Sequence, residues 1–347
     1  MKSIKLLHII LISCTLFSAC TSNIVFDNQI TESKIVLHSF ITPDSNITAF
    51  LSLSNFFLSD TLIFKHITNA DVSIYINGTF QEKMNHIDKG KYRGKYKPKN
   101  SDIVKIKAVI PDLGEVTAQT NFCEAPVITS IDTTMSLSNV IPLITYPNDV
   151  YAIDYEYKIN YKLKFTDDGN KKNYYRLIVQ QRMYIYDVIW GEVLESIVDK
   201  WYNLDYNDIV LGSSTSPNIV SEIGSITGET IMAAETYNVF TDELINGKTY
   251  TLDFSSPKVF FQRRTPKYSL DTELGKQISL SPNPEKVELL VTLQSIDEEY
   301  YYYLKSRGAS KVNDYFSEPT QILSNINGGI GYMAGYTSSN VIRFELK

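Results

Sequence analysis

Cysteine, histidine and tryptophan are scarce: 347 residues hold three Cys, four His and two Trp. Cys14 and Cys20 sit in the first twenty residues, so Cys123 is the lone thiol of the remainder, which excludes an internal disulfide framework there. His38, His66 and His86 follow the N-terminal segment with no H-E-x-x-H or comparable zinc spacing, so no metal site or cofactor is expected. A Cys123–His nucleophilic pair has no local signature, and Cys123, after a strand-like run, reads as a small packed hydrophobe. There is no G-x-S-x-G elbow and no phosphate-binding glycine loop. Basic side chains are outnumbered 33 to 39 by acidic ones, for a net charge of −6. That balance argues against nucleic acid, which selects a basic patch, and against electrostatic adhesion to anionic lipid. Beyond residue 20 no apolar run approaches the ~20 residues that a bilayer-spanning helix needs.

What is present at the start is an export signal. Lys2 and Lys5 precede a short apolar stretch, Leu6 to Leu16, and Phe17-Ser18-Ala19 places two small residues directly before Cys20. This order predicts a lipoprotein signal over residues 1–19, with acyl chains on Cys20 as the membrane anchor. Losing Lys2 and Lys5 takes the net charge from −6 to −8. Residues 20–33 read as a lipidated tether that ends in a folded body.

The body is rich in tyrosine, 24 against 16 Phe. Tyr has an apolar ring and a polar tip, which suits half-exposed sheets and binding faces. Strands are expected at Lys34 to Ile41, Ile47 to Ser54, Ala70 to Ile76, Thr79 to Met84, Lys91 to Tyr96, Asp102 to Ile110 and Glu115 to Phe122. Asn77-Gly78 predicts a type I′ hairpin, since both residues tolerate positive φ. Seven short strands in about ninety positions predict an immunoglobulin- or prealbumin-like β-sandwich over 34–125.

Residues 126–347 predict a larger antiparallel β-rich domain that opens with Val127 to Tyr146 as a connector and edge segment. Tyr151, Ile153, Tyr155, Tyr157, Ile159, Tyr161, Leu163 and Phe165 then hold every odd position, a period-two pattern with one face buried. At ~3.3 Å per residue such a strand is roughly 50 Å long, so a bend or bulge is expected within it. Asp167-Asp168-Gly169-Asn170 reads as a turn rather than a calcium loop, because the alternate acidic ligands and the distal glutamate are missing. Asn173 to Tyr186 is expected to return as its antiparallel partner. Later strands are expected at Glu229 to Ala234, Lys248 to Phe254, Val259 to Arg263, Val287 to Leu293 and Val341 to Leu346. One packed helix follows, with Ser295 and Glu298 as a capping box and Gly308 as its stop. On it, Tyr300, Tyr301, Tyr302 and Tyr303 cover almost every side, two expected on the sheet and two toward solvent or a partner. Asp205, Asp208 and Glu222 read as solvated acids and Arg263-Arg264 as a strand-end charge pair, so no catalytic residue is assigned.

Several segments in order resemble a Bacteroidota outer-membrane lipoprotein family, domain of unknown function 4249. They are Cys20, Lys34-Ile35-Val36-Leu37, Thr42-Pro43-Asp44, Asn69-Ala70-Asp71-Val72, Asn173-Tyr174-Tyr175-Arg176-Leu177 and Phe240-Thr241-Asp242 with Asn246-Gly247-Lys248-Thr249-Tyr250. Glu299-Tyr300-Tyr301-Tyr302-Tyr303-Leu304, Phe316-Ser317-Glu318-Pro319, Ser324-Asn325-Ile326 and Gly328-Gly329-Ile330-Gly331 complete the set. The region from Ala70 to Tyr96 is also similar to the prealbumin-like modules of outer-membrane receptors. The resemblance implies lipid attachment at the outer membrane and a TonB-dependent receptor or transporter as partner, and it brings no catalytic residues. Thr21-Ser22-Asn23-Ile24 lack the acids common after the anchor in surface-exported members, which leaves both faces of the membrane open. The function expected is therefore a non-catalytic accessory or substrate-capture partner of a transporter. The alternatives are a structural or adhesive envelope protein, and a hydrolase if Asp154, Asp205 and Asp208 share a cleft.

Overall fold

A computed structural model describes residues 33–43, 45–54, 65–145, 149–189, 192–201, 204–206, 208–213, 237–263, 284–309 and 322–346. The expected signal segment with Cys20, the tether up to residue 32, the Glu229 to Ala234 strand, Glu222 and Arg264 lie outside them. In chain order the first half carries β1 (Ile35–Ile41), β2 (Thr48–Leu53), β3 (Asp71–Ile76), β4 (Thr79–Lys83), β5 (Asn85–Asp88), β6 (Lys91–Arg93), β7 (Val104–Ile110) and β8 (Gly114–Thr120). The second half carries β9 (Val127–Thr145), β10 (Asp149–Thr166), β11 (Tyr174–Ile189), β12 (Glu192–Trp201), β13 (Asp205–Tyr206) and a short helix, α1 (Ile209–Ser213). It continues with β14 (Val239–Thr241), β15 (Thr249–Arg263), β16 (Pro284–Ile296), helix α2 (Glu298–Ala309), β17 (Ile330–Ser338) and β18 (Ile342–Leu346). The fold is mainly β, as the strand patterns predict.

Three sheets organise these strands. A ten-stranded sheet runs β12-β11-β16-β17-β1-β2-β6-β5, with β14 beside β11 and β18 beside β16. Two four-stranded sheets run β4-β3-β7-β8 and β13-β15-β10-β9. The long sheet crosses the boundary expected at 125/126. Strand β17 pairs in parallel with β1, Val36 opposite Ile330 through Ile41 opposite Gly335, and antiparallel with β16 at Ile296 opposite Tyr336.

Counting along β17 by twos separates the two faces of that sheet. Met333 packs in a core with Leu37 and Leu51 of the long sheet and Ile74, Ile106 and Val116 of β3, β7 and β8. Thr337, on the same face, lies opposite Ser295, two residues from Leu293. Leu293, Val291 and Leu177 share a second core with Ile159, Tyr161, Leu163, Phe165, Leu252 and Phe254. Both small sheets thus cover one face of the long sheet, side by side. Tyr332, Ala334, Ile296 and Tyr174 point the other way and are covered by α2 through Tyr300, Tyr301, Tyr303 and Leu304. Full burial of such side chains contributes about 1.5–3 kcal/mol each, which makes these three clusters the main favourable term.

The period-two stretch behaves as its pattern predicts near its end: Ile159, Tyr161, Leu163 and Phe165 are buried while Lys162 and Lys164 are exposed. The expected irregularity is there too, as a register shift between Tyr157 and Ile159 against β15. Asn77 (φ 51°) and Gly78 (φ 81°) make the expected tight turn between β3 and β4. Asn77 also ties it down, its Oδ1 accepting from the Ile103 N–H at 2.9 Å.

Three expectations are corrected. Strands β10 and β11 do not pair; β10 bonds to β9 and β15, while β11 bonds to β12, β14 and β16. The turn after Phe165 instead carries the chain from one layer to the other, and the two strands face each other across the core. Alternation dictates a buried face, not a neighbour. Residues 127–145, expected as a connector with an edge segment, form one 19-residue edge strand. Their Ser, Thr and β-branched residues suit a solvated strand but leave no clean apolar alternation to read. The cap of α2 is Asp297 rather than Ser295: Asp297 Oδ1 accepts from the Tyr300 N–H at 2.6 Å, while Ser295 is still in β16 opposite Tyr175. Gly308 falls inside the helix instead of ending it.

The seam between the two cores is polar. Asp297 Oδ2 accepts from Thr120 Oγ1 at 2.9 Å, and Thr337 Oγ1 donates to the Cys123 carbonyl at 2.8 Å. Gly335 lets this segment approach, since a Cβ there would stand 2.2 Å from the Asn121 carbonyl oxygen. Gly331 is tighter still, at φ +115° with a Cβ position 2.1 Å from the Leu37 carbonyl oxygen. Burial pushes the Asp297 carboxyl up to about 6 from 3.8, against the pull of its Tyr300 and Thr120 hydrogen bonds.

Two outcomes follow from this seam. Gly331→Ala forces β17 off β1 and should lower unfolding stability by about 3 kcal/mol or more. Gly78→Ala, where φ is positive but nothing lies within 4 Å, should lose only about 1–2 kcal/mol. Urea midpoints measure both. Asp297 binds its proton more tightly when folded, so its contribution to stability is full below about pH 4 and is lost as pH rises through about 6. The loss is at most about 3 kcal/mol, less the share that solvent screens. Asp297→Asn keeps a capping oxygen and should remove this slope. The difference between wild-type and variant urea stabilities should change across pH 4–6 and be flat above and below that range.

Candidate functional site

Where α2 leaves the sheet, an open cleft of ≈ 590 Å³ is lined by Gln119, Glu299, Tyr302, residues 323–327 and Tyr332. Four pieces of chain build it. Strand β8 supplies Gln119, the first turns of α2 supply Glu299 and Tyr302, β17 supplies Tyr332, and the segment before β17 closes one side.

That segment is held in place by mimicry of a strand. Asn325 Oδ1 accepts from the Met333 N–H at 2.9 Å and its Nδ2 donates to the Met333 carbonyl at 2.7 Å, so one side chain satisfies the edge of β17. The same Nδ2 donates to Glu299 Oε2 at 3.2 Å, fixing the carboxylate against the wall. Asn327 exchanges backbone hydrogen bonds with Thr117 of β8, at 2.8 and 3.0 Å. Gly328 passes beneath, where a Cβ would stand 2.4 Å from the Glu115 carbonyl oxygen.

The tyrosine run divides three to one, rather than the two and two expected. Tyr300, Tyr301 and Tyr303 are each 5% exposed and belong to the core under α2, whereas Tyr302 is 45% exposed at the cleft. Tyr303 stacks on Tyr332 with ring centroids 4.2 Å apart, and Tyr300 lies 5.8 Å from it on the same side of the sheet. The partner-contact expectation therefore narrows to Tyr302. The other three are occupied by the sheet.

Tyr332 differs from several other buried tyrosines. Tyr92 donates to the Ile67 carbonyl, Tyr161 pairs with Ser256, Tyr174 donates to Glu298, Tyr175 donates to Asp167, and Tyr300 accepts from Arg176. The Tyr332 hydroxyl, on a residue only 1% exposed, has no hydrogen-bond partner among the described residues. Leaving such a group unpaired costs about 1–3 kcal/mol. Burial raises its pKa, and the Asp297 and Glu299 carboxylates push the same way, so it stays a neutral phenol.

The remaining candidates have folding roles. Asp208 caps α1, accepting from the Val210 N–H at 2.8 Å, and its other oxygen accepts from the Asp253 N–H at 3.0 Å. Asp205 lies opposite Ser255 and Asp154 opposite Gln262, so the backbone register sets these two acids seven positions, or roughly 23 Å, apart along β15. Asp167 takes Tyr175 Oη at 2.6 Å and the Gly247 N–H at 2.8 Å, and Asn170 closes on Asp168 Oδ1, so this stretch is a turn. Asp242, buried, accepts from the Asn173 N–H at 2.7 Å, and burial raises its carboxyl. Cys123 is half-buried, and desolvation raises its thiol, which opposes thiolate chemistry. His38 lies in β1, its pKa lowered by burial and by Arg307; His66 bridges Ser52, and His86 meets Tyr92 edge-on with ring centroids 5.2 Å apart. Arg263 ends β15. Among the described residues no three His, Cys, Asp or Glu side chains converge as metal ligands.

Sequence reasoning missed Gln119, Glu299, Asn325 and Tyr332 as one site. The signal present was the Asn-Ile and Gly-Gly-x-Gly stretch directly before Tyr332, whose glycines mark a close backbone approach.

Among solved structures the chain is similar to a putative membrane-anchored protein from Corynebacterium diphtheriae, at 10% identity and a TM-score of 0.20, over 76% of this chain and 54% of that one. It is also similar to a structure from work on the promiscuous specificity of β-sandwich carbohydrate-binding modules, at 11% identity and a TM-score of 0.17, over 66% and 94% of the two chains. No match is found among curated proteins. A family model matches residues 21–341, nearly the whole chain, and the protein belongs to that family, Domain of unknown function (DUF4249).

Proposed function

We propose that this protein is a non-catalytic lipoprotein, held at the outer membrane through acylated Cys20, that captures a ligand for a TonB-dependent transporter. The sequence around Cys20 carries the reading: a short charged-then-apolar leader and two small residues before the cysteine. Support for a binding rather than catalytic role comes from Asp167, Asp208 and Asp242, whose carboxylates hold backbone N–H groups. The cleft beside α2 is the place for a ligand, with an exposed aromatic at its mouth and polar groups around it.

The anchor is tested by metabolic labelling with a fatty acid and by fractionation. The wild-type chain should take up label and sediment with outer membrane, and Cys20→Ser should do neither. Gentle solubilisation of wild-type membranes should recover a transporter with the protein at above-background yield. Recovery of the acylated protein alone would instead favour a structural or adhesive role.

A further inference from the structure

We infer that the cleft between α2 and β17 binds a neutral, hydroxyl-rich ligand, a short saccharide, with the ring of Tyr302 as its platform and the Tyr332 hydroxyl, the Gln119 amide and the Glu299 carboxylate as its polar partners. The inference rests on reading this cleft as the capture site. It is independent of the anchor and of the transporter.

The chemistry is set by what each lining group needs. The neutral Tyr332 phenol has a proton to give and no acceptor among the described residues. Glu299 only accepts, and one of its oxygens already takes Asn325 Nδ2. A ligand that satisfies both must accept at one atom and donate at a neighbouring one. An ammonium cannot accept from Tyr332 or from an amide N–H, since it has donors alone. An anion would meet the Glu299 carboxylate in the lining and Asp297 behind Tyr332, both close enough to act on that phenol. Adjacent hydroxyls meet every condition, since each both donates and accepts and none carries charge.

Shape agrees with this reading. Tyr302 presents an exposed ring whose edge-on contact with Tyr301, centroids 5.2 Å apart at 76°, fixes its orientation. The negative face of an aromatic ring attracts the polarised C–H bonds of a sugar ring laid against it. Leu323 and Ile326 supply apolar wall beside Ser324 and Asn327, the mixture of apolar surface and a few directed polar groups found in small-ligand sites. A volume of ≈ 590 Å³ suits a few sugar units rather than a long polymer.

The test uses the full chain in detergent, with neutral tetrasaccharides of glucose, mannose, galactose and xylose as probes. Tetragalacturonate and an end-blocked neutral tetrapeptide serve as the acidic and peptide counterparts. Saturation-transfer NMR detects binding and calorimetry gives Kd. At least one neutral tetrasaccharide should bind, and Tyr302→Ala and Tyr332→Phe should each weaken it about tenfold or more. Tyr332→Phe should melt at or above the wild-type temperature, because it removes only an unpaired hydroxyl. Glu299→Gln should raise tetragalacturonate affinity relative to wild type. The inference is overturned if no neutral tetrasaccharide binds the folded protein, if both tyrosine variants bind as wild type, or if only the tetrapeptide binds. A lower melting temperature for Tyr332→Phe with unchanged Kd would overturn it as well, by giving the hydroxyl a purely structural role. Any of these results leaves acylation and transporter recovery as they were, and failure of those experiments leaves saccharide binding as it was.

Discussion

The close backbone approach of β17 to β1 is the contact on which the rest depends. Two antiparallel sandwiches can each bury a core alone, but here one sheet serves both, and β17 is the strand where it is joined. A strand that pairs in parallel with β1, antiparallel with β16, and passes under the chain at Asn121 has little room for side chains on its crowded positions. Gly331 and Gly335 remove the Cβ atoms that would collide with the Leu37 and Asn121 carbonyls. Its remaining residues alternate, Met333 into one core and Tyr332 and Ala334 under the helix, so a single register error would expose both sets at once.

The cleft is a by-product of that junction. Strand β17 pairs with β16 only at its C-terminal end, so its edge near Met333 is left without a strand neighbour on that side. The Asn325 amide takes that place, and the segment carrying it stands away from α2 far enough to leave an opening. The same geometry buries Tyr332 from above, through Tyr303, while leaving its hydroxyl, among the described residues, without the carbonyl or carboxylate that Tyr92, Tyr174 and Tyr175 find. The cleft thus lies where regular strand pairing of β17 stops and a side chain substitutes for it.

How legible this was in the sequence depends on the range of the interaction. Asn77-Gly78 and the period-two stretch ending at Phe165 were readable because backbone φ preference and face burial are local properties. The partner of β10 was not, since a buried face is compatible with either a paired or a stacked neighbour, and the turn of Asp167 to Asn170 serves both. The helix existed where its pattern placed it, but its cap moved by two residues because β16 kept Ser295 in its ladder. Strand β17 was missed as a strand: glycine reads as a breaker, and only the proximity of β1, almost three hundred residues earlier, makes it a requirement. The candidate site was illegible as a whole for the same reason, with Gln119 and Tyr332 brought together by that pairing.

Tyrosine abundance follows from the same architecture. A sheet shared by two cores and overlain by one helix has many positions that are apolar at the base and close to polar backbone at the tip. Phenylalanine would fill those positions but leave carbonyls, carboxylates and amides at the layer edges unmatched. Tyr92 shows the benefit, donating to the Ile67 carbonyl while accepting from the Ala70 N–H, and so closing a loop onto the core. Tyr175 does the same for the interlayer turn through Asp167, which also holds the Gly247 N–H and so joins two connections at one carboxylate. Each such bond has a modest net value, about 1 kcal/mol, but breaking one leaves a buried acceptor unpaired, and that asymmetry fixes the layers in register. Against this pattern a buried tyrosine whose hydroxyl has no hydrogen-bond partner among the described residues is chemically out of place, which is the observation behind the proposed ligand at the cleft beside it.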